Sequence, residues 1–152
     1  MHLETQLVTR GEKIIKGISI RTNNANEMEP SKAKIGQLHQ QFDKQIEVNY
    51  AKGERVYAVY YNYESDASGD YTVMTGFDGH HQDCDDLETL AIQAGNYLVF
   101  NAKGEIPQIV IEIWGQIWEY FSSRECKHKR TYTTDFEYYK SPDEVDICIA
   151  VE

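Results

Sequence analysis

Residues 55–77 read RVYAVYYNYESDASGDYTVMTGF and contain two strand-like runs separated by a polar turn. Residues 56–63 are mostly β-branched or aromatic, and such side chains favour a pleated, half-buried surface over a helix. Small and polar residues follow, among them Gly69, which can adopt the positive φ of a tight turn. Residues 71–77 are strand-like again, so the stretch predicts a β-hairpin with a long acidic loop.

The same order of elements returns near the C-terminal end. An aromatic run at 135–139, a polar turn at 140–144 and an apolar run at 145–151 predict a second hairpin. One strand and one helical segment precede each hairpin, and neither copy alone is long enough to bury a core well. The sequence therefore predicts an α+β fold of two strand-helix-hairpin copies, with the functional site where the copies meet.

The segments before the first hairpin fit this repeat. Residues 14–22 are β-branched and partly alternating, which predicts the first strand, and residues 23–26 resemble a turn. Pro30 is tolerated in a first helical turn, so we expect the first helix at 30–45. Its narrow apolar stripe suits packing on one side of a sheet and consists of Ile35, Leu38, Phe42 and Ile46.

The second copy has stronger signals. Residues 87–94 predict a short strand and residues 95–101 a firm one, followed by a turn at 102–105. Pro107 then opens the clearest helix in the sequence, with polar side chains on its other face. The bulky stripe of this helix is Ile106, Ile109, Val110, Ile113, Trp114, Ile117, Trp118 and Phe121.

Length and charge restrict the function. The 152 residues fit a single domain, 1–152, without a linker. The net charge is −10, so we do not expect direct binding to nucleic acid. An acidic chain is instead expected to attract cations. The aromatic residues must fill a core or line a cavity; they are eleven tyrosines, five phenylalanines and two tryptophans.

Cysteine usage and the first residues predict a cytoplasmic location. The three cysteines include no CxxC pair, and the N-terminal residues lack the basic start and apolar run of a signal peptide. No apolar stretch is long enough to cross a bilayer, so no membrane association is expected.

Clusters with metal-binding or catalytic residue types are weak. His80, His81 and Cys84, with their neighbouring aspartates, match no closed zinc pattern, and we interpret them as a solvated loop. Neither this loop nor the pair Cys126 and His128 predicts a nucleophile held beside a base. We therefore predict no metal, no cofactor and no enzymatic activity. Residues 127–130, KHKR, are read as a solvated turn or a patch that contacts a protein.

Several strings and their order identify a family resemblance. They are VYYNYESD at 59–66, GDYT at 69–72, GNYLVF at 95–100, IWEYF at 117–121 and DFEYY at 135–139. Together, over residues 14–152, they resemble the GyrI-like, or AraC-type, effector-binding domain. The resemblance implies one pseudo-twofold antiparallel sheet with two helices on one face and a small-molecule groove between them.

In multidrug-responsive members of that family, the ligands are lipophilic cations held by aromatic walls and a glutamate, which Glu137 matches here. About a dozen residues precede the predicted first strand, too few for a helix-turn-helix unit, so the chain is similar to stand-alone members, including cation-binding proteins of integron gene cassettes. A possible protein partner is then a separate DNA-binding regulator or gyrase.

A carboxylate among aromatic side chains is costly to keep ionised, and a cationic ligand would supply the missing partner. Glu119 and Glu64 are reserve candidates for this carboxylate. Trp114 and Trp118 either belong to the core or line the groove. The first hairpin could contribute further groove residues, although strand alternation allows only some of them to face it: Tyr61, Tyr63, Tyr71 and Met74.

Three functions remain open from the sequence. The first is a protein that binds cationic drugs or dyes and either sequesters them or signals their presence in transcription regulation. The second is a protein-interaction module of the gyrase-inhibitor type. The third is a hydrolase that uses the same groove, which ranks last because no nucleophile is paired with a base.

Overall fold

The computed structural model describes residues 5–66, 68–79, 87–106, 108–124 and 126–152. These residues form one sheet of eight strands with three α-helices, and a short 3₁₀ turn at Tyr50–Lys52. In chain order the elements are β1 (Thr5–Arg10), β2 (Lys13–Thr22), α1 (Asn24–Glu27), α2 (Ile35–Gln45), β3 (Val56–Tyr61), β4 (Tyr71–Phe77), β5 (Glu88–Ile92), β6 (Gly95–Lys103), α3 (Gln108–Ser122), β7 (Arg130–Ser141) and β8 (Glu144–Val151).

The strand order shows the internal duplication directly. The strands lie in the order β1-β6-β8-β7-β3-β4-β2-β5, and every neighbouring pair is antiparallel. The hairpins β3–β4 and β7–β8 meet at the centre, and β2 and β6 flank them symmetrically. Helix α2 packs on β2 and β4, while α3 packs on β6, and both helices line one cavity on the same face. The predicted α+β fold of duplicated units in one sheet is confirmed.

The first copy contains one strand more than predicted, because β1 precedes the strand that was expected to be first, whereas the corresponding strand of the second copy, β5, is the short strand predicted at 87–94. β1 pairs with β6 of the other copy, and its counterpart β5 pairs with β2. The sequence of β1, TQLVTR, has little apolar alternation and is largely exposed, which explains why it was missed. The two copies therefore exchange their first strands.

The exchange forces the sheet to curl. β1 and β2 are six strands apart in the order, which would be roughly 29 Å in a flat sheet. Only Gly11 and Glu12 connect them, and such a link spans at most about 11 Å between the Cα atoms of Arg10 and Lys13. β6 and β5 are separated by the same number of strands and are joined by residues 93–94. The two ends of the open sheet must therefore approach each other.

Both faces of the curled sheet are buried. Under α3, the helix residues Ile109, Ile113 and Ile117 pack on β6 and β8. On the opposite face, which the helices do not cover, Ile15, Ile92 and other side chains from both ends of the sheet form one cluster. Strand residues of alternate parity thus enter two separate apolar layers.

Helix α2 begins at Ile35 rather than at the predicted Pro30. The carboxylate of Glu27 accepts hydrogen bonds from the backbone N–H groups of Lys34 and Ile35, which caps the helix at that point. The residues predicted as a turn at 23–26 largely form α1, capped by the Asn23 side chain. The predicted stripe is correct, because Leu38, Phe42 and Ile46 are buried; Pro107 lies outside the described residues.

Arg130 corrects the interpretation of the basic patch as a solvated turn. It begins β7, is 9% exposed, and its Nη2 lies 2.7 Å from Oδ2 of Asp135, which is fully buried. The carboxylate of Asp135 also accepts hydrogen bonds from the Tyr63 hydroxyl and from the backbone N–H of Ala150. Asp135 is therefore neutralised within the fold. The preceding residues 127–129 remain intermediate or exposed.

In the part of the chain that the structure describes, no helix has the length and apolar character needed to cross a bilayer. The predicted solvated loop at 80–86 falls outside the described residues.

Gly17→Ala should destabilise the protein by about 3 kcal/mol, because a Cβ at Gly17 would lie 2.0 Å from the backbone oxygen of Thr75 on the neighbouring strand. Gly115→Ala is the matched control, since no atom lies within 4 Å of its added Cβ, and alanine in mid-helix should stabilise by about 0.5–1 kcal/mol. Denaturant unfolding measures both. Equal stability of the two variants would contradict this close strand contact.

Arg130→Met should lower the free energy of unfolding by about 3–5 kcal/mol, because it leaves the buried Asp135 carboxylate without its cation. Lys129→Met removes the same charge from an exposed contact, 4.0 Å from Glu152, and should change stability by less than about 1 kcal/mol. A similar small loss in both variants would show that the Arg130 pair is not needed for the fold.

Candidate functional site

A cavity of about 920 Å³ lies between α2, α3 and the sheet. Its floor comes from both copies, β3 and β4 on one side and β7 on the other, so it lies where the duplicated units meet. Its walls are mostly aromatic and aliphatic. The floor and wall residues used below are Tyr60, Tyr63, Tyr71, Trp114, Trp118, Arg130, Glu137 and Tyr139.

Glu137 lies at the floor of this cavity and is 1% exposed. Its Oε2 accepts hydrogen bonds of 2.7 Å from the Tyr60 hydroxyl and 2.7 Å from Trp114 Nε1. Its Oε1 accepts one of 2.5 Å from the Tyr139 hydroxyl. Three neutral donors, from β3, α3 and β7, therefore fix the carboxylate in place.

The charge of Glu137 is not neutralised by the fold. Among the described residues, no lysine, arginine or histidine nitrogen lies within 4 Å of its carboxylate. Asp135, two residues earlier on the same strand face, has the Arg130 guanidinium instead. Because Arg130 is bound to Asp135, the buried Glu137 carboxylate lacks a counter-ion within the described part of the chain.

The tyrosines around Glu137 are held in their neutral form. Burial, reinforced by the Glu137 charge, raises the pKa of Tyr60 well above its ordinary value. The same two causes raise the pKa of Tyr139. Both hydroxyls therefore keep their protons at neutral pH and remain hydrogen-bond donors to the carboxylate.

The aromatic rings around Glu137 contact one another edge-on or at a tilt. The Tyr60 ring lies 5.4 Å from that of Trp114 and 5.8 Å from that of Tyr71, centroid to centroid. Trp118 is one helical turn from Trp114, at 6.5 Å, and 43% of it is exposed. A ring that is both part of the wall and exposed marks the opening of the cavity. Such faces attract cations through the ring quadrupole.

Two further carboxylates line the cavity near α2. Glu27 is occupied by the helix N-terminus and by the Thr22 hydroxyl, 2.7 Å away. Asp43 is exposed. Glu27, Asp43 and Glu137 are therefore three acidic groups in the lining. Among the described lining residues they face one arginine, Arg130, and no lysine.

Four of the six predicted ligand-binding residues line the cavity: Glu137, Trp114, Trp118 and Tyr71. Their role in binding stays a prediction. Tyr63, the further aromatic that the sequence suggested, also lines the cavity and donates to Asp135. The reserve candidates Glu64 and Glu119 are exposed and are not part of the lining.

The positions predicted for Tyr61 and Met74 are wrong. Tyr60 faces the cavity, so its neighbour Tyr61 must face the other side of the sheet. Met74 pairs with Val59, and both belong to the apolar cluster on the face opposite the helices, against which Tyr61 packs. The alternation of strand residues was known from the sequence, but its phase was not.

Sequence reasoning missed two of the three donors to Glu137, Tyr60 and Tyr139. Tyr139 follows Glu137 by two residues, so strand alternation alone places it on the same face and could have found it. Tyr60 offered no such signal. It reaches Glu137 because β3 pairs with β7 with Ala58 opposite Glu137, a register that the sequence does not contain.

Comparison with known proteins agrees with this architecture. The family model described as "Cass2: Integron-associated effector binding protein" matches residues 6–151. Over 136 residues the chain is 35% identical to "Putative transcriptional regulator protein YobU" of Bacillus subtilis (strain 168), covering 84% of this chain and 81% of that protein.

Solved structures extend the likeness. The integron cassette protein VCH_CASS2 from the mobile metagenome of Vibrio cholerae is 39% identical, with a TM-score of 0.87 over 99% of this chain and 98% of that one. SAV2435, solved bound to tetraphenylphosphonium, shares the fold with a TM-score of 0.72 at 17% identity, over 98% of this chain and 94% of that one. The resemblance found in the sequence is confirmed, and the chain belongs to the Cass2 family of integron-associated effector binding proteins.

Proposed function

We propose that this effector-binding protein takes lipophilic organic cations into the cavity between α2 and α3, with Glu137 as their counter-charge. The observation that carries the proposal is the buried Glu137 carboxylate, held by three neutral donors and by no cation of the described chain. A ligand with a delocalised positive charge would complete the pair and also fill an apolar space.

The expected contributions to the binding free energy select a ligand by its charge more strictly than by its shape. A cation about 6 Å from the carboxylate gains roughly 3 kcal/mol at an effective dielectric constant near 20. Each well-placed ring adds about 0.5–2 kcal/mol, and apolar burial contributes about 25 cal/mol per Å² without demanding one shape. A cavity of about 920 Å³ is within the range of drug-sized sites.

The ligand of a structural neighbour supports this class. SAV2435 was solved bound to tetraphenylphosphonium, a cation whose charge is shielded by four phenyl rings. That ion has the two properties that the present cavity would select, a single positive charge and a wide aromatic surface. It is therefore the natural probe for this chain.

We propose binding rather than catalysis. His39 Nδ1 lies 2.6 Å from Thr75 Oγ1 within the cavity lining, which pairs a base type with a hydroxyl. Thr75, however, is 1% exposed, and the contact fastens α2 to β4. The imidazole and the hydroxyl are hydrogen-bonded to each other across the contact between α2 and β4, so we assign this pair to packing.

The role that fits the relatives is effector sensing or sequestration. The name of the Bacillus subtilis relative refers to transcriptional regulation, and the net charge of −10 does not suit direct contact with DNA phosphates. We propose that ligand binding is the activity of this chain and that a separate DNA-binding regulator would be its partner in any transcriptional response.

Glu137→Gln should weaken tetraphenylphosphonium binding by about 2–3 kcal/mol, roughly 30- to 150-fold, because it removes the charge and keeps the shape. Isothermal titration calorimetry or quenching of the Trp114 and Trp118 fluorescence measures the affinity. The stability of the free variant should change by less than about 2 kcal/mol, since the amide oxygen can still accept from Tyr60 and Trp114 and its NH2 can donate to the Tyr139 hydroxyl.

Glu119→Gln is the matched control, because it removes the same charge from an exposed position on α3. It should leave the affinity within about twofold of the wild type. If the two variants weaken binding equally, long-range charge rather than the Glu137 site is responsible.

Tetraphenylphosphonium should raise the melting temperature much more than tetraphenylborate, which has the same shape and the opposite charge. At about 100 times its dissociation constant the cation should add about 2.7 kcal/mol, a shift of roughly 5–10 °C. The difference between the two ions should shrink in the Glu137→Gln protein. An equal shift by both ions in the wild type would show that apolar shape alone is recognised.

A further inference from the structure

A second pocket lies on the opposite face of the sheet, where its two ends approach. It has a volume of about 480 Å³ and is separate from the cavity between the helices. Its walls are four aromatic rings from three strands, and its rim is the short β1–β2 connection. The rings are Tyr57, Tyr97, Phe136 and Tyr138, and the rim includes Arg10, Glu12 and Lys13.

Arg10 is the unusual group in this pocket. Its guanidinium carbon lies 5.9 Å from the centre of the Phe136 ring. Its Nε is buried and has no hydrogen-bond partner among the described residues, while the guanidinium also contacts the Cys148 thiol. Among the described residues no carboxylate oxygen lies within 4 Å of its guanidinium. A buried N–H of a charged group without an acceptor is costly and needs a partner.

The groups around Arg10 do not supply a negative charge. Burial raises the pKa of Cys148 to about 12, although Arg10 itself acts to lower it. Burial also raises the pKa of Tyr97 to about 12 and that of Tyr57 above its ordinary value. All three therefore stay neutral near pH 7. Lys13 is bound to Asp78 at 3.5 Å, and Glu12 is exposed at the rim.

We propose that this pocket binds a small aromatic carboxylate. Arg10 lines the pocket, and its guanidinium can hold a carboxylate through two parallel N–H···O bonds. The four rings, which contact one another, then give an aromatic wall for the apolar part of the ligand. The volume of about 480 Å³ suits a molecule of one or two fused rings.

The two sites are chemically opposite and lie back to back on β7. Glu137 points into the cavity between the helices, while its neighbours Phe136 and Tyr138 line the second pocket. Judged on the described residues, one site has a carboxylate without a cationic partner and the other a guanidinium without an anionic partner. The same alternation of strand residues builds both, so the second site does not depend on the cation-binding proposal.

The test uses 2-naphthoate as the probe and the neutral 2-naphthamide as its control. In the ¹⁵N-labelled protein, the Arg10 Nε–H signal, assigned by its absence in Arg10→Gln, should shift saturably with naphthoate. Naphthamide should bind at least about tenfold more weakly, because it cannot form the charged pair. No shift of this signal up to about 10 mM naphthoate would overturn the proposal.

Variants locate the anion. Arg10→Gln should weaken naphthoate binding at least about tenfold, whereas Lys103→Gln, which removes an exposed positive charge elsewhere, should not. Equal binding by wild type and Arg10→Gln would overturn the site. If Arg10→Gln does not fold, Arg10→Lys, which keeps the charge without the bidentate fork, should still lose affinity, and unchanged affinity would count against the pairing.

Binding in the wrong cavity gives a distinct result. Naphthoate held near Arg130 would bind more tightly in Glu137→Gln, since a repelling carboxylate is then removed, and tetraphenylphosphonium would displace it. Both outcomes contradict the proposal. Unchanged naphthoate affinity in Glu137→Gln, without competition by the cation, supports it and leaves the cation site to be judged by its own titration.

Discussion

The hydrogen bonds that converge on Glu137 join the two copies of the chain at one point. Tyr60 comes from the first copy, and Trp114 and Tyr139 come from the second. They meet because β3 and β7 pair at the centre of the sheet and because α3 lies over the same face. The duplication therefore creates a pocket that neither copy could form alone, and its polar centre is the contact between the copies.

The neighbouring acidic groups on β7 are held by the fold in two different ways. Asp135 and Glu137 are both buried on the same strand face, but only Asp135 has a guanidinium beside it. Neutral donors are enough to orient Glu137, and the function proposed above uses its charge to bind a ligand. A cationic side chain beside Glu137 would have stabilised the carboxylate. It would also have weakened the binding of a cationic ligand, since a carboxylate that is already paired attracts a second cation only weakly.

The exchange of β1 and β5 between the copies gives the sheet its curvature. The two-residue connections pull its ends together, so the face without helices closes on itself and buries aromatic rings of β3, β6 and β7. Arg10 stands at the end of β1, where this closure leaves a gap. The curvature thus produces a second, oppositely charged pocket behind the first.

The sequence by itself determined the repeat, the helix stripes and the acidic residue of the site, because these follow from local periodicity and from residue types that a strand or a helix requires. It also identified Trp114, Trp118 and Tyr71 near that residue. Tertiary structure decided the rest. Strand alternation has a phase that only pairing fixes, which is why Tyr61 and Met74 proved to face away and Tyr60 toward Glu137. The polar, exposed β1 gains its place only from pairing with β6, a contact between distant residues that no local pattern encodes. Arg130 is buried against Asp135, Phe121 and Tyr132, and the register shift of β7 that brings it beside Asp135 is not visible in the sequence.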